Sequence, residues 1–191
     1  MTRYEPELAV AGEGPATFMG FAINCQERAI HIEERDGYDV EIVIDLDRSI
    51  SQYVASSVKV SRRSEGSEVT AKVLRTVTVQ EVIAEVALRD LVTIDESGLS
   101  EDTPPVSALE WLEDVKAGGL EALRAVELKP GEEADDTEVV GMIYTLAKLG
   151  NWPPLATVAT YLGVSQSTAT RMVARARKEN RWFRDNWFRD G

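Results

Sequence analysis

Between Pro153 and Lys178 the chain spaces three residues so tightly that few backbones satisfy all of them. Ala159 is followed four residues later by Gly163, and Ser165 comes two residues after that. Gly163 can enter the left-handed region that ends a helix. Ser165 is a good N-cap for the helix that follows. Ala159 is small where a second helix must approach closely. Val158, Leu162, Val164, Ala169, Met172 and Val173 are apolar where such a pair would pack inward. The pattern predicts one helix over Leu155–Leu162, a sharp turn, and a second from Gln166 to about Lys178. A supporting helix is expected before them, from Glu138 to Leu149, ended by Gly150.

The first half of the chain has a different period. Tyr38, Val40, Ile42, Ile44 and Leu46 alternate with Asp39, Glu41, Val43, Asp45 and Asp47, as in a strand with one wet face. Asp36-Gly37 precedes that run and Arg28 to Glu34 lies before it, which predicts a hairpin. A second hairpin is expected from Val54–Arg63 to Val69–Val77, turning at residues 64–67, with a further strand at Thr17–Asn24. The period then lengthens. Thr78 with Glu81, and Ser107 with Glu110, have capping-box spacing. The helix after Ser107 is expected to stop at Gly118-Gly119, with another short helix over Leu120–Leu128. Lys129 to Asp136 is charged, turn-forming and poor in large apolar groups, so it is expected to be a linker. The expectation is an α+β chain: an acidic antiparallel β-rich domain with helices (1–128), a linker (129–136) and a three-helix domain (137–191).

Charge follows the same division. The net charge is −12 overall; residues 1–136 carry 13 Lys+Arg and 29 Asp+Glu (−16), and residues 137–191 carry 8 and 4 (+4). An acidic body with a basic end is a mark of nucleic-acid binding. The outward residues of the last helix and its N-cap suit phosphates and base edges in a major groove: Ser165, Gln166, Ser167, Thr168, Thr170, Arg171, Arg175, Arg177 and Lys178. Arg181, Arg184 and the repeated WFRD at 182–190 follow, and the repeat's aromatic residues are expected to dock on the protein's own surface or on a second copy.

The stretch PPLATVATYLGVSQSTATRMVARARKE resembles the helix-turn-helix of bacterial regulators, recombination accessory proteins and transposase DNA-binding domains. It is most similar to small proteins of actinobacterial phages and integrative elements, over about residues 137–180. The resemblance implies sequence-specific binding of double-stranded DNA, in transcription regulation or in control of mobile-element recombination. A homodimer is expected, because one recognition helix reads only a few base pairs. The alternative is an adaptor whose acidic domain engages a recombinase, a polymerase or another DNA-bound protein.

Other chemistry finds little footing. There is one cysteine, Cys25, and one histidine, His31, so no zinc ligand set is expected. Asp45, Asp47, Glu33 and Glu34 are read as solvation of a strand face rather than as metal or catalytic carboxylates. No phosphate-binding glycine loop and no nucleophile with a base stands out, so neither an enzyme nor a cofactor is expected. No apolar run approaches the roughly 20 residues of a membrane helix, and no signal peptide is evident. The expected location is cytoplasmic, on the nucleoid, without membrane contact.

Overall fold

The computed structural model describes residues 3–5, 16–18, 21–35, 37–63, 66, 68–95, 105–124 and 136–179. They form a mixed α+β structure with two antiparallel sheets. In the first, β1 (Arg3–Glu5), β4 (Arg28–Arg35), β5 (Tyr38–Asp47) and β6 (Gln52–Arg62) lie in that order. In the second, the order is β2 (Ala16–Phe18), β3 (Phe21–Cys25), β7 (Val92–Asp95) and β8 (Val106–Ser107). The predicted hairpin forms with Arg35 opposite Tyr38, and Gly37 takes φ +86°. Its alternation holds in part: Tyr38, Val40, Ile42 and Ile44 are buried as expected, but Leu46 is only half-buried, and Val43, expected on the wet face, is buried too. Of the acidic partners, Asp45 meets Arg28 at 3.4 Å, and Asp47 accepts from the Ser49 N–H at 2.9 Å to close the next turn.

Several expectations are corrected. The first is the second hairpin, which does not form. After β6 the chain turns back, with Gly66 packed against the Gly37 carbonyl, but Ala71–Arg75 is a short helix, α1. Val69, Val73 and Val77 alternate at a spacing of four, which fits a helix as well as a strand, and Thr70 Oγ1 accepts from the Val73 N–H to start one. The second is Thr78. It precedes α2 (Val79–Val86) but makes no side-chain capping bond. The box at Ser107 does close, with Ser107 Oγ accepting from the Glu110 N–H at 3.2 Å and Glu110 Oε2 accepting from the Ser107 N–H at 3.1 Å. The Ser107 hydroxyl also donates to Glu110 Oε2 at 2.8 Å, and that bond, with the one from the Ser107 N–H, holds the Glu110 carboxyl below its usual range. The third is the pair Gly118-Gly119, which does not end a helix. The helix α3 runs through it, from Ala108 to Arg124. Similarly, Thr17–Asn24 is a hairpin of β2 and β3 rather than one strand.

A five-residue π-helical turn, Ala87–Leu91, extends α2 and delivers Leu88 and Leu91 to the centre of the molecule. The three last helices are α4 (Asp136–Leu149), α5 (Pro154–Tyr161) and α6 (Gln166–Glu179). Asp136, expected in the linker, opens α4; the rest of that segment lies outside the described residues, as do residues 125–128 and the WFRD repeat. One buried cluster runs from Ile23, Ile42, Ile44 and Tyr53 through Leu88, Leu91 and Leu112 to Val140, Ile143, Leu146, Val158, Ala169 and Val173. α4 touches α3, β6 and the π turn on one side and α5 and α6 on the other.

The end of α4 shows how the two sides are joined. Asn151, not Gly150, takes the left-handed position at φ 56°. The Trp152 N–H donates to the Ala147 carbonyl at 2.8 Å and the Asn151 N–H to that of Lys148 at 3.1 Å, a paired closure of the last turn. Gly150 serves a different need: a Cβ there would lie 2.9 Å from Leu88 Cγ. We predict that Gly150→Ala costs about 1–3 kcal/mol by overpacking. In a Leu88→Ala background the same change should cost close to nothing, because the cavity admits the methyl. Thermal melting of the four proteins checks this; equal costs in both backgrounds would refute the contact.

A second position carries strain. Ser51, in the turn between β5 and β6, has φ 54°, is 3% exposed, and its hydroxyl has no hydrogen-bond partner. Ser51→Gly relieves the left-handed strain and removes an orphaned hydroxyl. It should stabilise the protein by about 1 kcal/mol, read as a raised denaturant midpoint at unchanged slope.

Candidate functional site

The surface of interest is built by α5, the turn Leu162–Ser165 and α6. Pro154 opens α5 at a position where its missing N–H costs nothing. Val158 and Tyr161 are buried inward, and Ala159, Leu162, Val164 and Met172 pack at the margin of the same core. Gly163 has φ +63°. Its N–H donates to the Thr160 carbonyl at 3.3 Å, and the Val164 N–H donates to the Ala159 carbonyl at 3.0 Å. Ala159 thus contributes its carbonyl to the turn as well as a small side chain to the packing. Ser165 caps α6, accepting from the Thr168 N–H at 3.2 Å.

Burial of Ala169, Val173 and Ala176 fixes which side of α6 faces in. At about 3.6 residues per turn, Ser167, Arg171, Ala174 and Lys178 then run down the middle of the outward side. All four are exposed. Gln166, Thr170 and Arg177 form the flank next to α4; Thr168 and Arg175 lie on the other flank. The predicted residues therefore share one helix and its cap but not one role. Thr170 turns its hydroxyl back to the Gln166 carbonyl at 2.8 Å. Thr168 receives Arg171 Nη2 at 3.3 Å, and Ser165 Oγ lies 3.0 Å from Ser167 Oγ and 2.9 Å from Thr168 Oγ1. Arg177 lies over the Tyr144 ring, 5.1 Å from its centroid, and Arg177 Nη2 donates to the Tyr144 hydroxyl at 2.7 Å.

Two residues join this surface that the sequence reading did not include. Tyr144 comes from α4, and no local signal ties it to Arg177, 33 positions away. Ala174 was legible in principle, since it stands three residues from Arg171 and seven from Ser167, on one helix face.

The electrostatics differ from those of the sheets. In the body, arginines meet carboxylates: Arg63 and Glu34 at 2.8 Å, Arg89 and Glu85 at 2.6 Å. On α6 there is no acidic residue in the first turn, and the last turn carries Arg177 and Lys178. Behind the pair, the Tyr161 hydroxyl donates to Glu113 Oε1 at 3.3 Å, and Lys116 Nζ sits 5.7 Å from the Tyr161 ring centroid. Burial, then the Glu113 charge, pushes the Tyr161 phenol up to about 12.

Elsewhere the chemistry is quiet. Burial pushes the Cys25 thiol up to about 12, so it stays protonated at neutral pH. Among the described residues, no three His, Cys, Asp or Glu side chains come together as a metal site, and no helix is long and apolar enough to cross a membrane. No protein-family model matches the chain, and neither a curated protein nor a solved structure is significantly similar to it.

Gly163 offers a direct test of the turn. Nothing lies within 4 Å of a Cβ built there, so substitution is resisted by backbone conformation alone. Gly163→Ala should cost about 1–2 kcal/mol, and Gly163→Asn distinctly less, because asparagine tolerates the left-handed region. Equal costs in thermal melts would assign the effect to packing instead.

Proposed function

We propose that this protein binds double-stranded DNA in a sequence-specific manner, with α5 and α6 acting as a helix-turn-helix and α6 as its recognition helix. The observation that carries this reading is the outward side of α6. Ser167, Arg171 and Lys178 stand exposed in a row on a helix whose other side is held by Ala169, Val173 and Ala176. A major groove about 12 Å wide admits one helix, and arginine there matches guanine with two hydrogen bonds. Ser165, Gln166, Thr168, Thr170, Arg175 and Arg177 flank that row and suit phosphate or base contacts at the groove edges. Two copies would bind, each placing one α6 in a half-site. The role is control of transcription, or of recombination of a mobile element. The negative body, −16 over residues 1–136, supports α6 as the side that meets the duplex.

Selection of bound duplexes from a random pool by the full chain tests the reading. With the selected site in hand, Arg171→Ala should weaken binding to it by about 1–3 kcal/mol and weaken binding to random DNA less. Equal losses would make Arg171 a phosphate contact. Undiminished binding on both would remove α6 from the interface.

A further inference from the structure

The middle of the outward side of α6 holds one residue that is neither polar nor charged. Ala174 lies three positions from Arg171, four from Lys178 and seven from Ser167, and it is exposed. It takes no part in the buried cluster, which uses Ala169, Val173 and Ala176 from the opposite side. Its neighbours on the outward side are long and basic, so its single methyl forms a shallow notch between Arg171 and Lys178. On a helix surface facing only water, alanine serves as a strong helix former and its notch stays unused. In a major groove the notch has a use: a short side chain lets the backbone come close to the base edges while arginine and lysine reach past it. Of the groups a base pair presents in that groove, only the 5-methyl of thymine is apolar, and alanine is among the side chains that pack on it.

The spacing along the helix makes this specific. Three residues advance about 4.5 Å at a rise of about 1.5 Å per residue. Successive bases on one strand are about 3.4 Å apart. We propose that Ala174 packs on the methyl of a thymine one or two base pairs from the guanine that Arg171 addresses. This rests on the DNA-binding reading above and adds a second, apolar element to the code that α6 reads.

The test uses the full chain and its selected duplex, with each thymine replaced in turn by deoxyuridine, which lacks only the methyl. Burying one such group changes affinity about fourfold. The wild-type protein should therefore lose about fourfold at one thymine in each half-site, within two base pairs of the guanine whose replacement Arg171→Ala tolerates. Ala174→Gly should bind the thymine and deoxyuridine duplexes there alike. Any fraying of α6 weakens binding to both equally and leaves their ratio intact. Ala174→Ser, which keeps the helix better, should also lower the ratio. The inference is overturned if no deoxyuridine position weakens wild-type binding, if Ala174→Gly keeps the full discrimination, or if the sensitive thymine lies farther from that guanine. A chain that enriches no duplex at all overturns the DNA-binding reading itself, and this inference with it.

Discussion

The structure depends on α4 being apolar around most of its circumference. Val139, Val140, Met142, Ile143, Leu146, Ala147 and Leu149 are all buried. A helix that is hydrophobic on a single stripe packs on one neighbour; one that is hydrophobic almost all round must be enclosed. α4 is enclosed by the sheet, α3 and the π turn on one side and by α5 and α6 on the other. Each buried Val, Leu or Ile side chain stabilises the fold by about 1.5–3 kcal/mol. The polar contacts beside it, such as Tyr161 with Glu113 or Asn151 with Gln80, are exposed or half-exposed and contribute direction more than stability. Gly150 is what lets the two sides close, since any side chain there runs into Leu88.

Much of this was legible, and the reasons divide cleanly. The β4–β5 hairpin could be read because its alternation, its Asp-Gly turn and its register agree. The α5–α6 turn could be read because Gly163, Ser165 and Ala159 each meet a local backbone demand. Misreadings came where one pattern served two structures. Val69, Val73 and Val77 match period two and period four alike, and the hydrogen bond from the Val73 N–H to Thr70 tips the outcome to α1. Thr78 has the right spacing to Glu81 but the wrong backbone: its ψ of 70° accompanies no side-chain cap. Gly118-Gly119 can stop a helix but need not, at about 1 kcal/mol per glycine in a continuing one. The role of Gly150 and the contact of Tyr144 with Arg177 were out of reach. Both depend on which distant residue arrives, and no local period records that.

The candidate site shows the same division within a single helix. Its inward residues, Ala169, Val173 and Ala176, are decided by packing, and the small ones permit the close approach to α4 and α5. Its N-terminal hydroxyls are decided by capping, with Ser165 satisfying the free N–H of Thr168. Thr170 is partly decided by the helix itself, since its hydroxyl is turned to the backbone carbonyl of Gln166. Ser167, Arg171, Ala174 and Lys178 hold the middle of the outward side, which core packing does not require, and Arg175 and Arg177 are exposed on its flanks. Residue choices there are the ones a ligand can shape.

Enclosure of α4 also bears on charge. An acidic body joined to a basic helix by a loose tether could swing its carboxylates toward whatever the helix binds. Here α5 and α6 share a core with the body, so the two surfaces are held in one arrangement. The α3 carboxylate in contact with α5 is Glu113, and it is engaged from two sides, accepting from the Tyr161 hydroxyl at 3.3 Å and from Lys116 Nζ at 3.5 Å. Its negative charge is thereby partly offset before it can act across a Debye length of about 8 Å. In the sheets and in α2 with its π turn, Arg28, Arg63 and Arg89 offset Asp45, Glu34 and Glu85 in the same way. The buried contacts that build the fold therefore also hold these paired carboxylates in a fixed relation to the outward side of α6.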